Sequence, residues 1–256
     1  MAQNVENTFP KWLHYFDTID STNNYAMQRI DDGLAQQGEV IWAAHQLQGK
    51  GQRGKKWEND EGNVMMSLIL KPVIPTERQF ILSAAVALTI AKYLQTLSDR
   101  WQVAIKWPND IYLNDKKACG ILIENVFRGM HWAYSVAGIG LNVNQTAFPP
   151  ELTRATSMAM VSGRQFDLTE IITDIRSGVL NLLQPLGPDR YPALLADYNK
   201  LLFRRDKETQ FAEKATGRVF EAFVQEVNVE GQLVLLTHKG IEKYQFGALE
   251  WLLSPQ

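Results

Sequence analysis

The segment Gln46-Leu47-Gln48-Gly49-Lys50-Gly51-Gln52-Arg53-Gly54-Lys55-Lys56-Trp57 cannot belong to a packed layer, and this constrains everything around it. Three glycines stand among four cationic side chains, no acid interrupts them, and a tryptophan closes the run. With no apolar face to bury, the segment has to be a loop carried by flanking strands. Glycine permits positive φ and a close approach of backbone to ligand. Lys and Arg add charge and hydrogen-bond donors that match phosphate. Such a loop suits an anion with several negative charges; the competing reading is a solvated basic turn between two strands.

Two familiar phosphate patterns fail here. Gly49 to Gly54 spells G-x-G-x-x-G, but that fingerprint needs a helix directly behind it, and Lys55 to Gly62 has no helical apolar period. The P-loop spacing holds from Gly49 through Lys55, yet Lys56 stands where a Mg²⁺-binding Ser or Thr is required. If the loop is a phosphate binder and not a solvated basic turn, it binds in a geometry of its own.

At 256 residues the chain allows one large domain or a domain with a small appendage, and 45% hydrophobic residues suffice for a core. A net charge of −2 gives no bulk attraction to nucleic acid or anionic lipid, so the positive charge near residue 50 is local. Cys119 is the only cysteine, which excludes an intramolecular disulfide and fits a reducing cytosol. His14, His45, His131 and His238 lie far apart with no metal-ligand spacing. Neither a secretion leader nor an apolar run near ~18 residues is present, so a cytoplasmic protein is expected.

Trp12 to Phe16 reads as a strand, followed by a helix capped by Ser21 or Asp20 that runs to about Asp32, with Gly33 behind it. Strands are expected over Glu39–Ala44 and Val64–Leu70. An amphipathic helix from Pro75 to about Ser98 follows, with Phe80, Ala84, Leu88, Ala91 and Leu94 at helical spacing. Val103–Lys106 is a short strand, then Ile111–Leu113 and Ala118–Glu124 form a hairpin across Asn114-Asp115-Lys116, and Trp132–Leu141 extends the sheet. Asp167–Leu186 and Tyr191–Phe203 read as helices. After Asp206 come short strands at Val219–Val224, Leu233–Leu236 and Tyr244–Phe246, which fit a small five-stranded barrel appended to an α+β domain.

Three further segments carry chemistry. Lys106-Trp107-Pro108-Asn109-Asp110 packs a cation, an aromatic ring, a fixed φ, an amide and a carboxylate into one strand end. Asp110 can hold Mg²⁺ or orient a donor, and Lys106 can meet phosphate; alternatively Trp107-Pro108 is a packed corner capped by Asp110. Lys117 sits at the mouth of an apolar strand that Gly120 opens, where it either reaches into a site or snorkels to solvent. Cys119 beside it is a small hydrophobe or, less readily, a nucleophile. Gly138 and Gly140 are two residues apart on a strand, so both open one face for a flat ligand, and Asn142 lies on the same face; a β-bulge would also explain them.

With these segments in this order, the chain resembles the biotin protein ligases. The family's basic glycine loop corresponds to Gly49–Gly54, its Lys-Trp-Pro-Asn-Asp to Lys106–Asp110, its Lys-x-x-Gly-Ile-Leu-x-Glu to Lys117–Glu124, its Gly-x-Gly-x-Asn to Gly138–Asn142, and its Ser-Thr-Asn to Ser21–Asn23. The resemblance implies an α+β fold: a mixed β-sheet flanked by helices over residues 1–205, and an SH3-like barrel over 206–256. It implies that Ser21, Thr22, Asn23 and Gln46 hold the biotin head group, and that Gly49, Lys50, Gly51, Gln52 and Arg53, with Lys55 behind, close over an acyl-adenylate. Lys117 would bridge the biotin carboxylate and the α-phosphate, with Arg53 and Asp110 as catalytic partners. Lys106, Asn109, Asp110, Gly120, Gly138, Gly140 and Asn142 fall in the ligand-side motifs, and Trp57 would pack against adenine. Biotin, ATP and Mg²⁺ are the implied ligands, and a biotin carboxyl carrier protein or domain of acetyl-CoA carboxylase or a related carboxylase is the implied acceptor. A homodimer formed by extending the core sheet is common in the family.

Two departures stand out. Lys50 and Gln52 replace the family's arginines at the second and fourth loop positions. Only about eleven residues precede the first strand, so the expected form is the enzyme without the N-terminal helix-turn-helix of larger members. The nearest rival is a lipoate or octanoate ligase or transferase, and a catalytically silent biotin or adenylate sensor is the alternative from another class.

Overall fold

The structure is a computed structural model that describes residues 9–54, 57 and 62–253. In chain order the elements are β1 (Leu13–Ile19), α1 (Thr22–Asp31), β2 (Val40–Gln46), β3 (Val64–Leu70), α2 (Gln79–Leu97), β4 (Val103–Lys106), β5 (Asp110–Leu113), β6 (Lys116–Arg128) and β7 (His131–Leu141). Then follow α3 (Met158–Ser162), α4 (Leu168–Leu183), α5 (Tyr191–Lys200) and five strands: β8 (Glu208–Glu213), β9 (Val219–Val227), β10 (Leu233–Thr237), β11 (Gly240–Tyr244) and β12 (Leu249–Leu252). The chain packs as two compact units.

The first unit comprises the chain up to Pro72, Ile121–Ala147 and Ser157–Arg176. Its sheet runs β1-β2-β3-β7-β6. β1 and β2 are parallel, while β2–β3 and β3–β7 are antiparallel, so the sheet is mixed. Helix α1 begins because Ser21 is extended and ends beside Gly33, whose φ of +72° suits a residue without a β-carbon. Its buried residues, Thr22, Asn23, Ala26 and Ile30, fall on one helical face. The C-terminal end of that face is apolar and packs in a cluster with Ala35, Ile41, Ile69 and Val136. The N-terminal end is polar, so whatever it meets on the sheet must satisfy hydroxyls and amides.

The second unit comprises Val73–Gly120, Phe148–Thr156 and the chain from Ser177. Here the N-terminal part of β6 pairs with β5 and β5 with β4, all antiparallel. The β5–β6 turn uses Asn114 and Asp115, both at positive φ (48° and 63°), the two-residue hairpin geometry these residue types tolerate best. Helix α2 is more deeply buried than an amphipathic reading allows. Ile81, Leu82, Ala85, Val86 and Ile90 are covered as well as Ala84, Leu88, Ala91 and Leu94, and only Phe80 among the expected stripe is less buried. By composition this helix is apolar enough to cross a membrane, at a mean hydropathy of 1.5, but it serves as the core of its unit. The last five strands form an antiparallel sheet, β11-β10-β9-β8-β12, as an SH3-like barrel requires.

Candidate active site

In the first unit, the polar first turn of α1 meets a matching cluster. The Thr22 backbone N–H donates to Gln46 Oε1 at 2.8 Å, and the Thr22 hydroxyl reaches the same oxygen at 3.1 Å. Ser67 Oγ, on β3, lies 2.8 Å from Thr22 Oγ1 and donates to Asn23 Oδ1 at 2.5 Å. The other end of the Asn23 amide, Nδ2, donates to Glu124 on β6 at 2.6 Å. Ser21, Thr22, Asn23 and Ser67 are all at most 4% exposed. Of the four residues expected to hold the head group, Thr22, Asn23 and Gln46 are thus brought together, and Ser21 is buried next to Thr22 at the start of α1. Ser67 joins them unannounced by sequence; the signal was a lone hydroxyl inside the apolar run Val64–Leu70. Glu124 appears in sequence only as the last letter of a motif, with no role.

Gly138 lies across from Ser67 in the β3–β7 ladder, and Gly140 across from Met65. A β-carbon on Gly138 would collide with Asn23 Oδ1, and one on Gly140 would lie 2.8 Å from Trp57 Cζ2. The glycines do open one face of the sheet, and here an amide and an indole fill the space. Trp57 also closes the base of the basic loop, donating from its backbone N–H to Gly49 O at 3.0 Å. Beyond Lys50 and Gly51 the loop makes one short 3₁₀ turn over Gln52, Arg53 and Gly54. Lys55 lies outside the described residues. β7 ends at Leu141, so Asn142 is buried just beyond the strand, and its carbonyl accepts from Met158 N–H at 3.1 Å.

The second unit holds the remaining charged residues. Asp110 opens β5 and Lys117 is the second residue of β6; their carboxylate and ammonium are 2.7 Å apart. Ile111 pairs with Cys119 but Tyr112 pairs with Lys117, so Ala118 is an extra residue in β6, a bulge of the kind that re-aims a neighbouring side chain. The Lys117 backbone is clamped on its other edge: its N–H donates to Arg154 O at 2.7 Å, and its carbonyl accepts from Thr156 N–H at 2.9 Å. Gly120 stands opposite Asp110. Trp107 and Pro108, joined by a cis peptide, form a packed corner before Asn109, with the Trp107 indole N–H donating to Gly231 O at 3.0 Å. Lys106 extends over two rings, 5.3 Å from the centroid of Trp251 and 5.9 Å from that of Tyr112. Cys119 is fully buried, and that burial pushes its thiol well above the ordinary range, so a thiolate is strongly disfavoured.

The chain can now be set beside known proteins. The sequence profile of the biotin/lipoate A/B protein ligase family matches residues 15–142. The bifunctional ligase/repressor BirA of Bacillus spizizenii is 32% identical over 252 residues, covering 93% of this chain and 73% of that protein. The chain belongs to the biotin/lipoate A/B protein ligase family, in its biotin protein ligase branch. A biotin–[acetyl-CoA-carboxylase] ligase from Paracoccus denitrificans is 33% identical over 161 residues, covering 60% of this chain and 65% of that one. The fold matches that of the Aquifex aeolicus biotin protein ligase solved with biotin and ATP. The TM-score is 0.79 at 23% identity, over 96% of this chain and 100% of the other. The α+β architecture with a C-terminal antiparallel barrel is therefore that of a biotin protein ligase.

Proposed function

We propose that this ligase activates biotin and attaches it to a carrier protein in two half-reactions. A biotin carboxylate oxygen attacks the α-phosphorus of ATP, forming biotinyl-5′-AMP and releasing pyrophosphate. The ε-amine of an acceptor lysine then attacks the acyl carbon, loses a proton, and AMP leaves with the anhydride electrons. The observation that most supports this reading is the neutral cluster of Thr22, Asn23, Gln46 and Ser67 against Gly138. Uncharged donors and acceptors of both signs suit a ureido ring, which offers one carbonyl oxygen and two N–H groups. A carboxylate or phosphate would instead call for cations there.

The first step forces two anions together, a repulsion of about 4 kcal/mol per unit-charge pair at ~4 Å in an effective dielectric of ~20. Lys117, Lys50 and Arg53 would offset it and stabilise charge on the phosphoryl oxygens. Asp110, at 2.7 Å, fixes the Lys117 ammonium before substrate arrives. Among the described residues no three His, Cys, Asp or Glu side chains form a cation cage. Mg²⁺ would accordingly enter as part of the ATP substrate, held chiefly by phosphate and water. Ordering of the glycine loop over the acyl-adenylate would keep water from it.

We assign the ligase role to residues 1–205 and the barrel to 206–256, and place the enzyme in the cytoplasm. Its acceptor would be a carrier domain of acetyl-CoA carboxylase or a related carboxylase, and its homodimer would form by extension of the core sheet. The buried, protonated Cys119 speaks against a thiol-dependent octanoyl transferase. Intact-mass analysis of a carrier domain incubated with the protein, biotin, ATP and Mg²⁺, beside a parallel reaction with lipoate, tests the reading. A single ATP-dependent biotinyl addition that Lys117→Ala abolishes is expected. Addition of lipoate alone would overturn the substrate, and no addition would leave a silent sensor.

A further inference from the structure

Glu124 is a partly buried carboxylate on the same face of the sheet as Gly138, and its hydrogen bond comes from the amide of Asn23. A side-chain amide has two nearly isosteric ends, one donor and one acceptor, and its neighbours decide which way it points. A carboxylate can only accept. Glu124 therefore holds Nδ2 towards itself and turns Oδ1 towards Ser67.

The consequence passes along the cluster. Oδ1 can only accept, so the single proton of the Ser67 hydroxyl is spent on Asn23 at 2.5 Å. With that proton gone, Ser67 offers Thr22 only lone pairs across their 2.8 Å contact. The Thr22 proton lies between Ser67 Oγ and Gln46 Oε1, at 3.1 Å, and in either position it points into the protein. What Thr22 presents outward is a lone pair. The Thr22 backbone N–H is also committed to Gln46.

We infer that Glu124 is a positioning residue for biotin: it sets the donor–acceptor polarity of the chain Asn23–Ser67–Thr22, so that Thr22 meets the ligand as an acceptor for a ureido N–H. The inference rests on the biotin reading above and extends it to a residue that touches the ligand only through others. Without an acceptor at position 124 the Asn23 amide can turn over. Nδ2 then donates to Ser67, the Ser67 proton swings to Thr22, and the Thr22 proton, denied Ser67 as an acceptor, is left to Gln46 or the ligand side, so a lone pair is no longer held towards the ureido N–H.

The test is biotin affinity by calorimetry, with steady-state KM values for biotin and ATP, on the full-length protein and on Glu124→Gln, Glu124→Leu, Ser67→Ala and the double variant Glu124→Leu/Ser67→Ala. Glutamine still offers a carbonyl oxygen to Nδ2 and should bind biotin within about threefold of wild type. Leucine should weaken biotin at least tenfold and leave the KM for ATP nearly unchanged, with a melting temperature lowered by a few degrees because one end of the buried Asn23 amide loses its partner. Ser67→Ala breaks the next link and should show the same split, and the double variant should be no worse than its weaker-binding parent. A biotin analogue with one ureido N–H replaced by ring oxygen should bind wild type less tightly than biotin does, and Glu124→Leu should lose that discrimination. Equal biotin affinity in wild type and Glu124→Leu overturns the inference, as does an equal loss in the Gln and Leu variants. If Glu124→Leu does not fold, Ser67→Ala with the analogue decides it by the same criterion. If wild type binds no biotin at all, the biotin reading fails first and this inference falls with it.

Discussion

Gly138 has no room for even one carbon. A methyl group there would displace the Asn23 amide, whose two hydrogen bonds are short and whose surroundings are fully packed. Gly138→Ala should therefore cost about 1–3 kcal/mol of stability and raise the KM for biotin well beyond any change in the KM for ATP. A wild-type biotin KM in that variant would show the amide to be free to move. At Gln52 the question is charge. The residue lies in the short 3₁₀ turn of the basic loop, and glutamine contributes a neutral amide where an arginine would bring a bidentate cation. Gln52→Arg should slow release of biotinyl-5′-AMP by roughly tenfold, the equivalent of one charge-assisted hydrogen bond of about 1.4 kcal/mol. Stopped-flow dissociation of the intermediate measures it, and an unchanged rate would show that this position does not reach the ligand.

At the scale of elements, the β4–β5 hairpin that begins the Lys117–Asp110 pair is tied to the turn between β9 and β10 by one buried hydrogen bond, Trp107 Nε1–H to Gly231 O. Trp107→Phe keeps an aromatic ring but leaves that carbonyl unpaired, which should cost about 1–3 kcal/mol, read as a lower urea midpoint at unchanged m-value. An unaltered midpoint would mean that water replaces the indole. The same scale shows what the sequence could and could not disclose. β3 and β4 lie where their apolar runs and bounding turns place them, and α1 lies between the extended Ser21, whose side chain makes no capping hydrogen bond, and a glycine at positive φ. β8 escaped because Glu208–Glu213 buries only Thr209 and Phe211, and with a polar Thr209 inside and an apolar Ala212 on the outward face the alternation has too little contrast. α3 has five residues, too few to show a helical period. The strand expected over Tyr244–Phe246 instead ends at Tyr244, having begun at Gly240, whose φ of +107° turns the chain at its start. At the site, motif residues were legible because glycines and cations are unusual in strands. Ser67 was not, since a serine letter does not reveal that a helix terminus sits over it.

For the molecule as a whole, acid is the condition to which this arrangement of charges is most sensitive. Among the described residues, four carboxylates are held below their ordinary range in the fold, each by partners that denaturation removes. Asp20 is lowered by the side chain of Asn24, and Asp197 by Lys92 and Lys200. Burial works against the charge on Glu39, but hydrogen bonds from Arg29 and from the Gln36 N–H outweigh it. Glu242 is lowered furthest, to about 2, by hydrogen bonds from the Tyr244 hydroxyl and from Arg218. In each case the unfolded chain binds a proton at higher pH than the fold does, so the free energy of unfolding, and with it stability, falls as pH drops. The stabilisation is complete above about pH 5 and is lost between the ordinary carboxylate range and pH ~2. Most of these groups are near solvent, and screening limits each to about 1 kcal/mol or less, so the sum is a few kcal/mol against a total of about 5–15. The urea midpoint should therefore be level from pH 7 to 5.5 and fall steeply below pH 4. Glu242→Gln should flatten part of that fall, because a group that cannot titrate cannot couple folding to protons. A variant whose acid profile overlays that of wild type would remove Glu242 from the account and leave the loss to the other three carboxylates.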